Sequence, residues 1–364
     1  MPVPAAKTTK SNSEFNLTKA TEIGRIVVKF GGIILIAIMV GRMTLNGITA
    51  FWVATHPEPP PPPTQGFGAI PPVEFGNGGA EVQPKSYQLE LPGPFPTFPD
   101  RAFVYLMPKG QIRLLSLEET KASAAKLGFL SAPVELDEQN YRWRRTGDLN
   151  ASLEMNTVTK NFRYTTDYLS RPDLQLNNEL PTTFDAVQTV KQFLGSADLL
   201  PADIATAAGE TQFLKIAGGA VKAAVSLSDS QLIRVDLFRT PVDGIPTYTE
   251  DGKTGLVSAT VASINRQPTV IEITRNYAPI EETIAYTYPL KTAQEAWQLM
   301  KSGVGFSASA YRSDEAVIRS VSLGYFESAD SLYLQPIYVF TGDDDYIGYI
   351  DAISSSAQTA PGQP

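Results

Sequence analysis

The sequence contains no cysteine, and its 364 residues include a single histidine, His56. The lack of cysteine excludes a disulfide framework, a cysteine nucleophile and a zinc–thiolate site. A Ser-His-Asp triad would have to use His56, which precedes a run of prolines and is expected to be a solvated linker residue. We therefore expect no catalytic residue, no metal site and no cofactor, and a protein that is not an enzyme.

Positive charge is also in deficit. The chain carries 30 Lys and Arg against 38 Asp and Glu, which gives a net charge of -8. This acidic balance argues against nucleic acid as a partner, because nonspecific binding needs a basic surface. Residues 1–29 nevertheless have more basic than acidic side chains. A basic tail, an apolar run and an acidic remainder in that order are typical of a membrane topology.

The apolar run covers residues 30–54 and contains one charged residue, Arg42, and one amide, Asn46. A helix of this length would cover about 37 Å, enough to cross a bilayer. We expect a single-pass membrane protein, with the tail at 1–29 cytoplasmic and the body extracytoplasmic. The lipid bilayer would then be one partner. A cleaved signal peptide and a long buried helix are the alternatives.

Four further segments follow from composition. Residues 55–84 are rich in proline and glycine and predict a stalk. The body is expected to form a first subdomain at 85–180 and a second at 181–354. Residues 355–364 are polar and predict a disordered tail.

Three helices are predicted in the body from capping and periodicity. Ser116 with Glu119, and Thr292 with Glu295, match the capping box. Another helix is expected to follow Thr182–Thr183. In the helix after Thr182–Thr183, the apolar residues Phe184, Val187, Val190 and Leu194 share one face. In the helix that begins at Thr292, Ala293, Ala296, Trp297 and Met300 do so.

Each predicted helix precedes stretches with strand-like composition or alternation. The body is therefore interpreted as three units of one helix and an antiparallel meander, an α+β fold class behind a single transmembrane helix. The predicted strands are 141–145, 151–157, 161–168, 212–217, 231–239, 255–265, 270–277, 316–327, 333–340 and 346–353.

The last unit, at about 290–354, resembles the PepSY and YycI-like modules of bacterial envelope proteins. Those modules pair a helix carrying an A-x-x-A-W/A face with strands that end in P-x-Y-x-F and Y-x-D-A. The resemblance implies a non-catalytic binding or regulatory role, since members regulate membrane sensor kinases or inhibit peptidases. The matching residues here are Ala293, Ala296, Trp297, Pro336, Tyr338, Phe340, Tyr349, Asp351 and Ala352.

Three residues are candidates for partner contact. Trp143 and Arg145 fall on one face of a predicted strand, and Trp and Arg are frequent interface anchors. A solvated sheet face is the alternative interpretation. Arg42 would contact another transmembrane helix or extend to the membrane interface.

The triplet Asp343–Asp345 is interpreted as a solvated turn, with a weak calcium site as the alternative.

The function predicted from these features is a membrane-anchored, extracytoplasmic binding or regulatory protein of a bacterial cell envelope, acting through protein–protein contacts. One alternative is a structural subunit of a secretion or surface assembly. A second alternative is an extracytoplasmic hydrolase that uses carboxylates. The sequence does not name the protein partner or the oligomeric state.

Overall fold

The structure, a computed structural model, describes residues 62–76, 83–171, 174, 179–309, 311 and 313–359, together with Arg25, Lys29, Gly41 and Arg42. The chain separates into two units, Met1–Pro62 and Pro63–Pro364. The second unit contains the sheets and the helices whose bounds follow.

Two large sheets dominate the described part of the second unit. The helices there are α1 (Ser116–Lys126), α2 (Thr183–Ser196), α3 (Ala202–Ala205) and α4 (Ala293–Lys301). The strands are β1 (Ser86–Leu89), β2 (Arg101–Leu106), β3 (Val134–Glu135), β4 (Asn140–Arg145), β5 (Ala151–Asn156), β6 (Phe162–Thr166), β7 (Glu210–Ala217), β8 (Ala220–Ala223), β9 (Leu232–Leu237), β10 (Thr247–Tyr248), β11 (Val257–Ile264), β12 (Gln267–Arg275), β13 (Glu281–Pro289), β14 (Phe306–Ser307), β15 (Glu315–Phe326), β16 (Tyr333–Gly342) and β17 (Ile347–Asp351).

The first sheet has nine strands in the order β3-β4-β5-β6-β12-β11-β9-β7-β8, and its paired neighbours are antiparallel. Helices α1 and α2 pack on one face, where Ala124, Val190 and Leu194 share a core with Leu153 and Val235. Strand β12 pairs with β6, so strands from both sides of the expected division at residues 180 and 181 belong to one sheet.

The second sheet has eight strands and is built around the long strands β15 and β16. Strand β15 pairs in parallel with β1 and β10, whereas β16 pairs antiparallel with β2 and β17. Helix α4 covers one face, where the ring centroids of Trp297 and Phe340 are 6.0 Å apart. The capping box of this helix is confirmed: Glu295 N–H donates to Thr292 Oγ1, and Thr292 N–H donates to the Glu295 carboxylate.

Residues 63–76, from the predicted stalk, cover the other face of this sheet. Ile70 is 1% exposed, and the rings of Phe75 and Phe306 stack with centroids 5.2 Å apart. Phe75 packs in the cluster that contains Val339, whereas α4 packs in the cluster that contains Phe340. Consecutive strand residues face opposite sides of a sheet, so the segment and the helix enclose the sheet between them.

The prediction of an α+β fold is wrong, because the described residues form a mostly β structure. The sequence signals located short helices well but missed several strands, among them β1, β2 and β13. These strands join the eight-stranded sheet instead of leaving three separate helix–meander units. Capping signals are local and do not predict how many strands from distant parts of the chain pair in one sheet.

The longest of helices α1 to α4 is α2, with 14 residues, whereas a membrane span needs about 20. Within the described ranges, no helix combines the length and the apolar character needed to cross a bilayer. The predicted transmembrane helix at 30–54 lies outside the described residues, apart from Gly41 and Arg42. As far as the structure extends, the single-pass membrane prediction and the localisation derived from it are therefore wrong.

Substitution of Gly342 is expected to destabilise the eight-stranded sheet. An ideal Cβ at Gly342 would lie 2.3 Å from the carbonyl oxygen of Val317, a backbone atom on the paired strand. Gly342→Ala should lower the free energy of unfolding by about 1–3 kcal/mol because the strands must separate locally. Urea denaturation measures the loss. Gly93→Ala is the control, since a Cβ there meets nothing within 4 Å; equal losses in both variants would contradict this packing.

Candidate functional site

An acidic cleft lies beside the loop that joins β15 to β16. It has two adjoining parts of about 360 and 480 Å³, which share Glu250, Ser328 and Asp330. The carboxylates that line it are Glu74, Glu250, Asp251, Glu327 and Asp330. No lysine or arginine stands among the described residues that line either part. The cleft is therefore a concentration of negative charge without cations of its own.

Three of these carboxylates, those of Glu74, Glu250 and Asp330, make no ion pair with any described residue. Glu74 comes from the segment before β1, Glu250 follows β10, and Asp330 lies between β15 and β16. Lys109 donates to the carbonyl of Ala329 from the adjoining surface but does not line the cleft. The three carboxylates thus remain available to a ligand.

Asp251 is instead used within its own turn. Its carboxylate accepts the backbone N–H groups of Lys253 and Thr254 at 3.1 and 2.8 Å, and the hydroxyl of Thr254. Burial acts to raise the pKa of Asp251, but the hydrogen bonds from Thr254 and Lys253 outweigh it and hold the pKa below its usual value. This residue shapes the wall of the cleft and adds fixed negative charge.

Glu327 joins the two sheets at the base of the cleft. Its side chain is 1% exposed, and both of its oxygens accept from Arg239, from Nη2 at 2.5 Å and from Nε at 3.2 Å. Arg239 follows β9 of the nine-stranded sheet and also pairs with Asp203. Burial raises the pKa of the Glu327 carboxyl, and the hydrogen bonds from Arg239 act against that rise. Both carboxylate oxygens of Glu327 are therefore already engaged by Arg239.

Tyr277 lies under two guanidinium groups near this junction. The Cζ atoms of Arg239 and Arg275 are 4.7 and 5.0 Å from its ring centroid. Arg275 donates to the Leu199 carbonyl and to Asn161 Oδ1, and burial lowers the pKa of Arg275 to about 10. Arg239 neutralises Glu327, and Arg275 is held by backbone and amide oxygens. Neither guanidinium lines the cleft, so neither pairs with Glu74, Glu250 or Asp330.

The inner wall of the smaller part is formed by Phe326 and Gln335, which are buried while the rest of its lining is at least partly exposed. These two residues are cross-strand partners on β15 and β16. Gln335 Nε2 donates to the Pro71 carbonyl at 3.2 Å, whereas its Oε1 is inaccessible to solvent and has no hydrogen-bond partner among the described residues. The cleft thus combines at least partly exposed carboxylates with an apolar wall, which suits a ligand that carries positive charge.

The residues predicted from sequence to contact a partner do not line this cleft. Trp143 is 1% exposed and belongs to the core beneath α1 and α2. Arg145 donates to the Leu127 carbonyl at 3.1 Å and stacks over Phe129. Arg42 is exposed, lies in the first unit and has helical backbone.

The acidic triplet forms an exposed turn. Asp343 pairs with Arg319 at 2.6 Å, and Asp345 pairs with Lys253 at 3.0 Å. The hydrogen bond from Arg319 holds the pKa of Asp343 below its usual value. Within the described ranges, no three acidic or histidine side chains are arranged to hold a metal ion.

The sequence pattern did not single out the acids of the cleft, because Glu74, Glu250 and Asp330 come from three distant segments. Glu74 lay in the expected stalk, and the other two lie in loops without a motif. Comparison with protein-family models, with curated proteins and with solved structures gives no match. The resemblance to PepSY and YycI-like modules therefore stays a prediction.

Proposed function

We propose that this chain is a binding protein that acts through protein–protein contacts, and that the acidic cleft receives a basic segment of its partner. The observation that carries the proposal is the set of unpaired carboxylates, Glu74, Glu250 and Asp330, on a cleft lined by no described cation. Charge complementarity of this kind selects partners and speeds their encounter.

The hydrogen bonds that Glu327 accepts favour a binding role for the cleft over hydrolysis. It is the carboxyl of the cleft whose pKa is raised, which is the property expected of a general acid. A general acid must also reach the group that it protonates. Both oxygens of Glu327 accept from Arg239, so the side chain is engaged in the protein's own structure.

Neutralising the cleft is expected to weaken binding of a basic peptide. The probe is a fluorescent peptide of alternating lysine and glycine, titrated by anisotropy. We expect Glu250→Gln combined with Asp330→Asn to raise its Kd about tenfold, equivalent to about 1.4 kcal/mol. Amide side chains keep the shape of the carboxylates, so the fold is retained. Binding should also weaken as salt rises, because exposed charges are screened.

Glu135→Gln combined with Glu138→Gln is the matched control, since both are exposed carboxylates that do not line the cleft. It removes two negative charges from another part of the surface and should leave the Kd unchanged. If the unmodified protein, the cleft variant and the control variant bind the peptide with the same Kd, general attraction to an acidic chain explains the binding and the proposal fails. Failure of the unmodified protein to bind the peptide would also refute it.

A further inference from the structure

Strand β8 forms one border of the nine-stranded sheet. It pairs with β7 on one side, and no described strand pairs with its other side. Gly218 and Gly219 connect the two strands with φ angles of 65° and 75°, as a two-residue type I′ turn requires. The residues that flank this turn, Ala217 and Ala220, are directly opposite each other. In such a hairpin they form the first hydrogen-bonded pair.

The hydrogen-bond pattern of this hairpin determines which backbone groups of β8 face outward. Hydrogen-bonded and non-hydrogen-bonded pairs alternate along antiparallel strands, and the bond of 3.0 Å from Ala224 N–H to the Phe213 carbonyl fits the alternation. Val221 and Ala223 therefore direct their N–H and C=O groups away from β7. These groups have no backbone partner among the described residues, so the edge is a template for a further strand.

The side chains around this edge favour contact with another chain. Val225 and Leu227, which follow β8, are 92% and 62% exposed. Residues 211–228 contain no acidic side chain, although the whole chain has a net charge of -8. Two copies that meet here therefore avoid the repulsion that their acidic surfaces would otherwise cause. Lys222 is the only charged residue of β8, and a lysine on an edge discourages pairing where it faces another cation.

One antiparallel register makes β8 complementary to a second copy of itself. In this register Ala223 lies opposite the partner's Ala223, and each donates its N–H to the carbonyl of the other. Val221 then lies opposite the partner's Val225, which brings two apolar side chains together. Lys222 lies opposite the partner's Ala224, so the two lysines are not directly opposed. The same strand serves both copies, as a twofold axis requires.

We propose that the outer edge of β8 is a self-association surface, through which two copies of this chain join their nine-stranded sheets into one antiparallel sheet with Ala223 at the twofold axis. This contact goes beyond the proposed function and is separate from the acidic cleft, whose lining contains no residue of β8.

The absence of cysteine from the chain permits a test by single-cysteine crosslinking of the full chain. Opposed residues at a hydrogen-bonded position have Cα atoms about 5.5 Å apart, within reach of a disulfide. We expect Ala223→Cys to give about tenfold more disulfide-linked dimer on mild oxidation than Ala220→Cys. Ala220 is the matched control, because it is exposed on the same strand. The proposed register separates the two copies of residue 220 by about 20 Å.

Ala223→Pro tests the backbone bonds directly. It removes an N–H that faces away from β7, so the hairpin keeps its own hydrogen bonds, and sedimentation velocity should show a shift from dimer to monomer. A dimer that survives this substitution would assign self-association to another surface and overturn the proposal. Equal crosslinking of the two cysteine variants would also overturn it. An unmodified chain that sediments as a monomer would refute pairing with a second copy. The cysteine comparison stands even if Ala223→Pro fails to fold.

Discussion

Replacement of Arg239 by methionine is expected to lower the free energy of unfolding by about 3–5 kcal/mol. The guanidinium pairs with Glu327 and Asp203 and donates to the Ala278 carbonyl at 2.6 Å. Its loss would leave Glu327, with a side chain 1% exposed, as a buried carboxylate without a counter-ion. Chemical denaturation with two spectroscopic probes would measure the change.

A matched pair of variants identifies the cause. Arg239→Met combined with Glu327→Met removes the buried pair and should recover most of the loss, because the remaining Asp203 has a side chain 22% exposed and can be solvated, whereas Glu327 cannot. Lys85→Met breaks the pair with Asp314, in which both side chains are exposed, and should change stability by at most about 1 kcal/mol. If the double variant is as unstable as the single one, the packing of Arg239 rather than its charge is responsible.

The single variant should also become more stable in acid. Burial raises the pKa of Glu327 in the folded state, and Arg239→Met removes the hydrogen bonds that oppose this rise. The folded variant then binds more protons than the unfolded chain between the ordinary glutamate pKa and the raised one. Its stability should be full below the ordinary value and should fall as pH rises through the raised value. Unchanged stability between about pH 4 and pH 7 would contradict this picture.

Truncation of Trp143 is expected to have a comparable effect. Its side chain is 1% exposed and packs in the core under α1 and α2. Trp143→Ala removes a large buried ring and should lower the free energy of unfolding by about 3–5 kcal/mol. A thermal or urea transition would measure it. A partner-contact residue would behave differently, because its loss would reduce binding and leave the isolated protein stable.

Phe184→Ala is the control for this substitution. Phe184 is 69% exposed on α2, so its removal should change stability by no more than about 0.5 kcal/mol. Trp143→Phe keeps much of the buried volume and should fall between the two. If Trp143→Ala were as mild as Phe184→Ala, Trp143 would not be part of the core.

The helices show what a sequence pattern can and cannot predict. The face of α4 was predicted correctly, since Ala293, Ala296, Trp297 and Met300 are buried. For α2 the same periodicity placed Phe184 with buried residues, but it is exposed. Periodicity identifies the direction of a face but not how far the covering sheet extends. The capping box expected at Ser116 is also wrong: its Oγ accepts from Arg113 N–H instead, and α1 has no side-chain cap.

The missed strands differ in how much local signal they carry. Strand β13 does alternate apolar side chains, with Ile284, Tyr286 and Tyr288 two residues apart, so a period-two search could have found it. Strand β1 has no such strong signal and is held by pairing with β15. The cleft was beyond prediction for the same reason, because the strand pairing that brings Gln335 beside Phe326 is a tertiary property.

The bridge between Ile70 and Gln358 has a consequence for the order in which the chain folds. Ribosomal synthesis delivers the amino-terminal segment first, yet β1 and β2 find β15 and β16 only when most of the body has been made. Along the chain, the last strand of the nine-stranded sheet is β12, which ends at Arg275. This sheet can therefore assemble earlier, from segments that are close together in the chain. Folding during translation is therefore expected to be sequential: the nine-stranded sheet forms first, and the early segments stay exposed to chaperones until the last strands emerge.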